Sequence, residues 1–220
     1  MLATAENIGG IVKQLRARGG VRRKAVPQAA AVVSFLTDEQ RDTLRSWLNG
    51  RELKRLYRHS SYDRRTDGGQ YLDLIRCVGD AKGLVLVIKS GGCVFGAYTS
   101  EGIKLPQDPT GVSEYESDGW HFSLAGHFEA PMKIRIPGGQ TVRVAGIEAP
   151  EGTGALTISD LSLGRDGGNS CVRYCRHFIE MSYVPDGYQG ARGPAACAVF
   201  GGHRDFSASD VEVLTVVGLD

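Results

Sequence analysis

Gly83-Leu84-Val85-Leu86-Val87-Ile88-Lys89-Ser90-Gly91-Gly92-Cys93-Val94-Phe95-Gly96-Ala97-Tyr98-Thr99, resumed at Trp120-His121-Phe122-Ser123-Leu124, is the stretch that decides the fold. Two apolar runs joined by a short glycine turn have the form of a β-hairpin. The first run is apolar on both faces: Leu84, Leu86 and Ile88 alternate with Val85 and Val87. A strand of that kind is expected to be covered on both sides. Gly96 lies inside the second run, where glycine costs stability unless another backbone approaches closely or the strand bends.

Working outward, Thr37-Asp38-Glu39-Gln40 reads as a capping box that starts a helix, with Leu44, Trp47 and Leu48 on one apolar face and Asn49-Gly50 as its stop. Trp47 is expected as a core anchor. Tyr71, Leu74, Ile75 and Val78 repeat at helical spacing, and Gly79 is placed to end that second helix. Glu101 to Gly119 reads as a loop. Beyond it, strands are expected at His121–Leu124, Met132–Ile136, Thr141–Ile147, Ala155–Ser159, Arg176–Tyr183, Ala196–Phe200 and Val211–Val217. Turns are expected at Pro137-Gly138-Gly139, Pro150-Glu151-Gly152 and Asp166-Gly167-Gly168. Many short strands at this spacing predict an antiparallel two-sheet sandwich, and the few helices near the start make the fold α+β.

The order of these blocks resembles the TLDc domain family. The carriers are Leu56-Tyr57-Arg58-His59-Ser60-Ser61, the Ile88-Lys89-Ser90-Gly91-Gly92 turn with Val94-Phe95-Gly96-Ala97-Tyr98-Thr99-Ser100, and Ser117-Asp118-Gly119-Trp120-His121-Phe122-Ser123-Leu124. Leu156-Thr157-Ile158-Ser159 and Val211-Glu212-Val213 resemble later strands of the same family, so the likeness is read from about Phe35 to Gly218. Tyr71-Leu72 stands where the family often has an aromatic–His pair, and no role of that histidine carries over. The resemblance implies a β-sandwich flanked by helices and no established enzymatic chemistry. It also implies a link to oxidative-stress resistance and, for several members, binding and regulation of the vacuolar proton-pumping ATPase.

The chain has 220 residues and a formal net charge of +1, spread unevenly. Residues 1–34 hold Lys13, Arg16, Arg18, Arg22, Arg23 and Lys24 against Glu6, a net +5, and residues 35–60 add +2. Residues 61–220 are therefore at −6. The expected organisation is a basic N-terminal arm, 1–34, before a TLDc-like domain, 35–220. The arm reads as a flexible surface arm, as a mitochondrial targeting segment or as a docking arm. It lacks interleaved aromatics for base stacking, so a nucleic-acid partner is not expected. No apolar window approaches the length of a membrane-spanning helix. Five cysteines with no C-x-x-C pair point to a reducing, intracellular setting, cytoplasmic or mitochondrial.

Candidate chemistry is sparse. Cys171, Cys175 and Cys197 with His177 could supply zinc ligands, but their spacing fits no common motif. Cys175 beside His177 is the best case for a thiol nucleophile, although Arg176, the adjacent residue of the strand, would point away from Cys175. No cofactor or phosphate loop is recognisable. Glu212 reads as a partner contact or as a charge at a strand edge. The expected function is a non-catalytic interaction module docking onto a large assembly, with a proton-pumping ATPase as the partner that the resemblance suggests. The rivals are an accessory subunit of a mitochondrial membrane or cytoskeletal complex held by the arm, and a thiol redox enzyme using Cys175 and His177.

Overall fold

A computed structural model describes residues 34–62, 66–136, 139–150, 153–164 and 170–219. The six arm cations Lys13, Arg16, Arg18, Arg22, Arg23 and Lys24 lie outside the described residues, as do Pro137-Gly138, Glu151-Gly152 and Asp166–Gly168 of the expected turns.

Among the described residues the fold is α+β, two antiparallel sheets of six strands with two short helices. The first sheet has the order β1 (Leu53–Ser60), β12 (Asp210–Val216), β2 (Leu84–Ser90), β3 (Cys93–Thr99), β5 (Gly119–Ala125), β6 (Met132–Ile134). The second runs β11 (Asp205–Ser207), β10 (Tyr174–His177), β9 (Leu161–Leu163), β8 (Leu156–Ile158), β7 (Gln140–Ala145), β4 (Val112–Ser117). The β2–β3 hairpin lies near the middle of the first sheet, in register from Leu84 opposite Thr99 to Ser90 opposite Cys93. Its two faces divide as the alternation requires. Leu84, Leu86 and Ile88 join the core between the sheets, whereas Val85 and Val87 join a second core on the outer face.

That outer face is covered by α1 (Asp38–Trp47). Thr37 Oγ1 accepts from Gln40 N and Gln40 Oε1 accepts from Thr37 N, both at 3.2 Å, so both arms of the capping box are made. Leu36, Leu44 and Leu48 then pack with Val85, Val87, Phe122 and Leu214. The other helix, α2 (Tyr71–Val78), puts Tyr71, Leu74 and Val78 into the inter-sheet core and ends at Gly79, whose φ of +60° favours a residue without Cβ. Tyr71 is fully buried, and its hydroxyl donates to Ala145 O of the second sheet at 3.3 Å.

Gly96 has the close backbone approach expected of it: a Cβ there would stand 1.9 Å from Leu86 O and 2.7 Å from Phe122 Cζ. Other expectations need correcting. Part of the Glu101–Gly119 loop is β4, an edge strand whose alternating exposed and half-buried residues pair with β7. Strand β10 stops at His177, and Met181–Tyr183 is a turn of 3₁₀ helix. Ala196–Phe200 is not a strand, since Ala195 and Ala196 have positive φ and Ala198 makes only isolated bridges. Among the described residues no helix is long and apolar enough to cross a membrane.

Candidate functional site

Cys175 and His177 alternate with Arg176 along β10, so both face the core and Arg176 faces outward to pair with Asp205 at 2.8 Å. The Cys175 Sγ lies 3.4 Å from Val172 O and 3.3 Å from Arg173 O as a donor. Burial pushes this thiol far above its ordinary range. A nucleophilic cysteine needs the opposite, a stabilised thiolate open to substrate. Cys171 and Cys197 are half-buried thiols, and among the described residues no three His, Cys, Asp or Glu side chains gather as a metal set.

His177 belongs instead to a group that spans the two sheets. His121 on β5, His127 just after it and His177 on β10 are each buried, His127 and His177 against Phe95 and Phe200 and His121 against His177. Their hydrogen bonds assign the tautomers. Phe200 N donates to His177 Nδ1 at 3.3 Å, so the His177 proton sits on Nε2, which faces His121 Nδ1 at 3.4 Å. His127 Nε2 donates to Phe200 O at 2.9 Å and its Nδ1 accepts from Ser123 Oγ at 2.8 Å. Every bond in the relay uses a neutral ring. Burial takes His121 down to about 4, an effect only partly offset by the Ile158 backbone, with which its Nε2 makes no well-formed hydrogen bond. Burial also lowers His127, and it lowers His177 well below the usual histidine range, helped by the two neighbouring rings. These histidines are fasteners between sheets. In sequence they look scattered, because contacts 56 and 73 residues apart leave no local spacing to read.

Glu212 is placed differently from either expectation. It lies in β12, between β1 and β2, so it is at no sheet edge, and it is fully buried. It faces the outer side between Arg58 and Val87 in register. Its Oε2 accepts from Ser34 Oγ at 2.8 Å, while Oε1 makes no well-formed hydrogen bond among the described residues, the Phe35 backbone lying close to the carboxyl. Burial raises its pKa, opposed by the Ser34 hydrogen bond and by Arg55 and Arg41.

Two shallow depressions lie at the far end of α1. A shallow depression of about 230 Å³ is lined by Trp47, Tyr98, Trp120 and Leu219, with Arg51 at its lip. A second, of about 370 Å³, shares Val216 and Leu219 with it and carries Lys54, Lys82 and Asp80. Trp47 meets Trp120 edge-on at 5.6 Å, and Tyr98, which is paired with Trp120 in the β3–β5 register, stacks on it at 5.3 Å. Lys133 Nζ sits 4.4 Å over the Trp120 ring and 3.5 Å from Trp47 O. Trp47 is therefore only half-buried, a wall of this cleft as well as a core contact. The signal available in sequence is the alternation of Trp120, Phe122 and Leu124 with His121 and Ser123, which sets aromatic residues on one face and polar ones on the other.

Residues 33–128, from just before α1 to just after β5, match the family model of the TLDc domain. The later segments Leu156–Ser159 and Val211–Val213 fall outside that match. No curated protein matches the chain. At family level the TLDc domain is a generally non-enzymatic module of protein interaction and oxidative-stress resistance.

Proposed function

We propose that this chain, whose residues 33–128 match the TLDc domain, is a non-catalytic module that docks onto a large protein assembly, with a proton-pumping ATPase of the vacuolar type as the partner. One observation supports this reading most. The side chains best placed in sequence for covalent or acid–base chemistry, Cys175 and His177, are sealed between the sheets with His121, while the two depressions at the end of α1 are lined by aromatic and cationic side chains. Enzymes keep their reacting groups at the wall of a concave, accessible site. Docking surfaces need rings and charges within reach of a partner, with little else.

The reading is tested by mixing the purified full chain with the purified peripheral sector of such an ATPase and following co-elution and ATP hydrolysis. Co-elution at micromolar concentration with a changed hydrolysis rate is expected, and Cys175→Ser should leave both intact. Absence of co-elution overturns the choice of partner. The rival reading, an accessory subunit of a mitochondrial or cytoskeletal complex, is favoured by the +5 charge of residues 1–34. Replacing Lys13, Arg16, Arg18, Arg22, Arg23 and Lys24 by Gln in the full chain separates the two: loss of the assembly would put the contact in the basic segment, and retention would put it on the domain.

A further inference from the structure

We propose that the cleft walled by Trp47, Tyr98 and Trp120 is a docking groove for an acidic segment of a partner protein that inserts one large apolar side chain. The proposal rests on the docking reading above and names the chemistry of the contact.

The shape argues for a chain segment over a small metabolite. Two shallow depressions of about 230 and 370 Å³ share Val216 and Leu219 in their walls, and each is open to solvent. A pocket for a small ligand buries most of the ligand's surface, and an open trough of this kind leaves one side of any occupant in solvent. An extended peptide fills such a trough, placing one side chain in a depression and its backbone along the lip.

Apolar chemistry argues for an anchor. Trp47 and Tyr98 are each half-buried, so ring surface is left for a partner, and Val217 on the adjoining lip is 51% exposed. Trp and Tyr in partly desolvated clusters are the side chains that dominate binding energy when a partner completes their burial. The ring arrangement is held rigid by the edge-on Trp47–Trp120 and stacked Tyr98–Trp120 contacts, so little ordering cost remains on this side.

Charge argues for acidity. Among the described residues Arg51, Lys54 and Lys82 line the two depressions and Lys133 overhangs Trp120, against Asp80 in the lining, Asp118 within electrostatic reach of Tyr98 and Glu101 within reach of Lys82. This concentration of positive charge sits on a chain whose residues 61–220 carry −6. A cationic groove on an acidic body steers an acidic segment to one place and repels it elsewhere.

The chain has only two tryptophans, and both are walls of the cleft, so intrinsic fluorescence reports on this site directly. The probe is a synthetic peptide of glutamates flanking one central Phe, titrated into the full chain, with two controls: Lys in place of every Glu, and Ala in place of the Phe. A saturable tryptophan shift with the first peptide is expected, weakened at least tenfold in either control and at least tenfold by Lys54→Glu/Lys82→Glu, with the melting temperature unchanged. Raising the salt concentration should weaken it as well. The proposal is overturned by no saturable response, by equal response to the lysine peptide, or by an unchanged affinity in the double variant. It is also overturned if the shift follows the chain's own concentration with no peptide present, since the occupant is then a second copy. Co-elution with the ATPase sector that persists in Lys54→Glu/Lys82→Glu would remove the groove and leave the docking reading standing. Peptide binding without co-elution would do the reverse.

Discussion

The first sheet is buried on both faces, by different means. Its inner face lies against a second six-stranded sheet, and the polar groups trapped there, His121, His127, His177 and Ser123, are tied to one another and to Phe200 in a chain of neutral hydrogen bonds. Among the described residues its outer face has one ten-residue helix and the Ser34–Leu36 segment as cover. There a carboxylate, Glu212, is buried with one oxygen unpaired among the described residues, and the described cover ends at a cleft of half-buried rings and cations. The inner face is closed by the second sheet, with His121 Nε2 the member of the relay left without a well-formed hydrogen bond, whereas the outer face keeps an unpaired carboxylate oxygen and an open cleft. A buried polar group that is satisfied specifies a fold, and one that is not leaves energy that a rearrangement or a partner can recover.

The largest effect that could break this contrast is a matched pair of truncations. Phe95 is fully buried and touches His127, His177, Phe200 and Phe206. Phe95→Ala should cost about 3–5 kcal/mol in urea unfolding, the range for an aromatic lost from a packed core. Trp47→Ala, at a half-buried ring of the outer core, should cost about half as much despite the larger side chain, because less area leaves contact. Equal costs would mean that the outer face is as closed as the inner one.

Next in size is the response to acid. The three histidines have folded-state pKa values below the unfolded value of about 6.5, so between those values the unfolded chain binds more protons than the native one. Stability is therefore complete above about pH 6.5 and is lost as pH falls toward the folded values. With His121 at about 4, that residue alone contributes roughly 3 kcal/mol of loss across the window. Protonating His177 would also turn its acceptor Nδ1 into a donor facing Phe200 N. Urea midpoints from pH 7.5 to 4.5 should fall steeply, and His121→Gln should flatten the slope. A flat profile in the native chain would show that the relay can take up protons without opening the sheets.

Glu212 should behave with the opposite sign. Its folded-state pKa is raised, so the native chain holds the proton longer, and stability falls as pH rises through that value. Glu212→Gln keeps an oxygen for Ser34 Oγ and removes the buried charge. A gain on the order of 1 kcal/mol at pH 8, shrinking toward nothing at pH 4, is expected from relieving one unsatisfied group. A loss at pH 8 would mean that Arg41 and Arg55 compensate the charge in full, and that the outer face stores no such energy.

The same contrast separates what is legible in the sequence from what is not. The β2–β3 hairpin, both helices and the double-faced burial of Leu84–Ile88 are local patterns, fixed by residues within a few positions of one another. Strand β4 is hidden because Val112-Ser113-Glu114-Tyr115-Glu116-Ser117 is polar, has Pro106, Pro109 and Gly111 just before it and, as an edge strand, has little to bury. Strands β9 and β11 are three residues long with no longer alternating run around them, unlike the equally short β6 and β8. The histidine relay and the central place of Glu212 depend on which strands become neighbours. β12 joins β1 to β2 from the far end of the chain, and no spacing announces that. The cleft is hidden for the same reason, since Trp47, Tyr98, Trp120 and Leu219 come from four separate parts of the chain.

The smallest expected effect probes how α1 serves both as lid and as wall. Thr37 caps the helix at an exposed end, and Trp47, its last residue, stands in the cleft about three turns away. Thr37→Ala removes one arm of the capping box and should cost about 0.5–1 kcal/mol, at the low end for cap replacements because the site is exposed. If the outer face is thinly held, that small loss should concentrate locally. Amide exchange across Asp38–Trp47 should speed up and acrylamide should quench tryptophan more strongly, while protection in β2 and β3 stays as it was. Equal loosening of helix and hairpin would mean that lid and sheet open as one unit. The cleft would then be as stable as the core beneath it, with no separate motion for a partner to arrest.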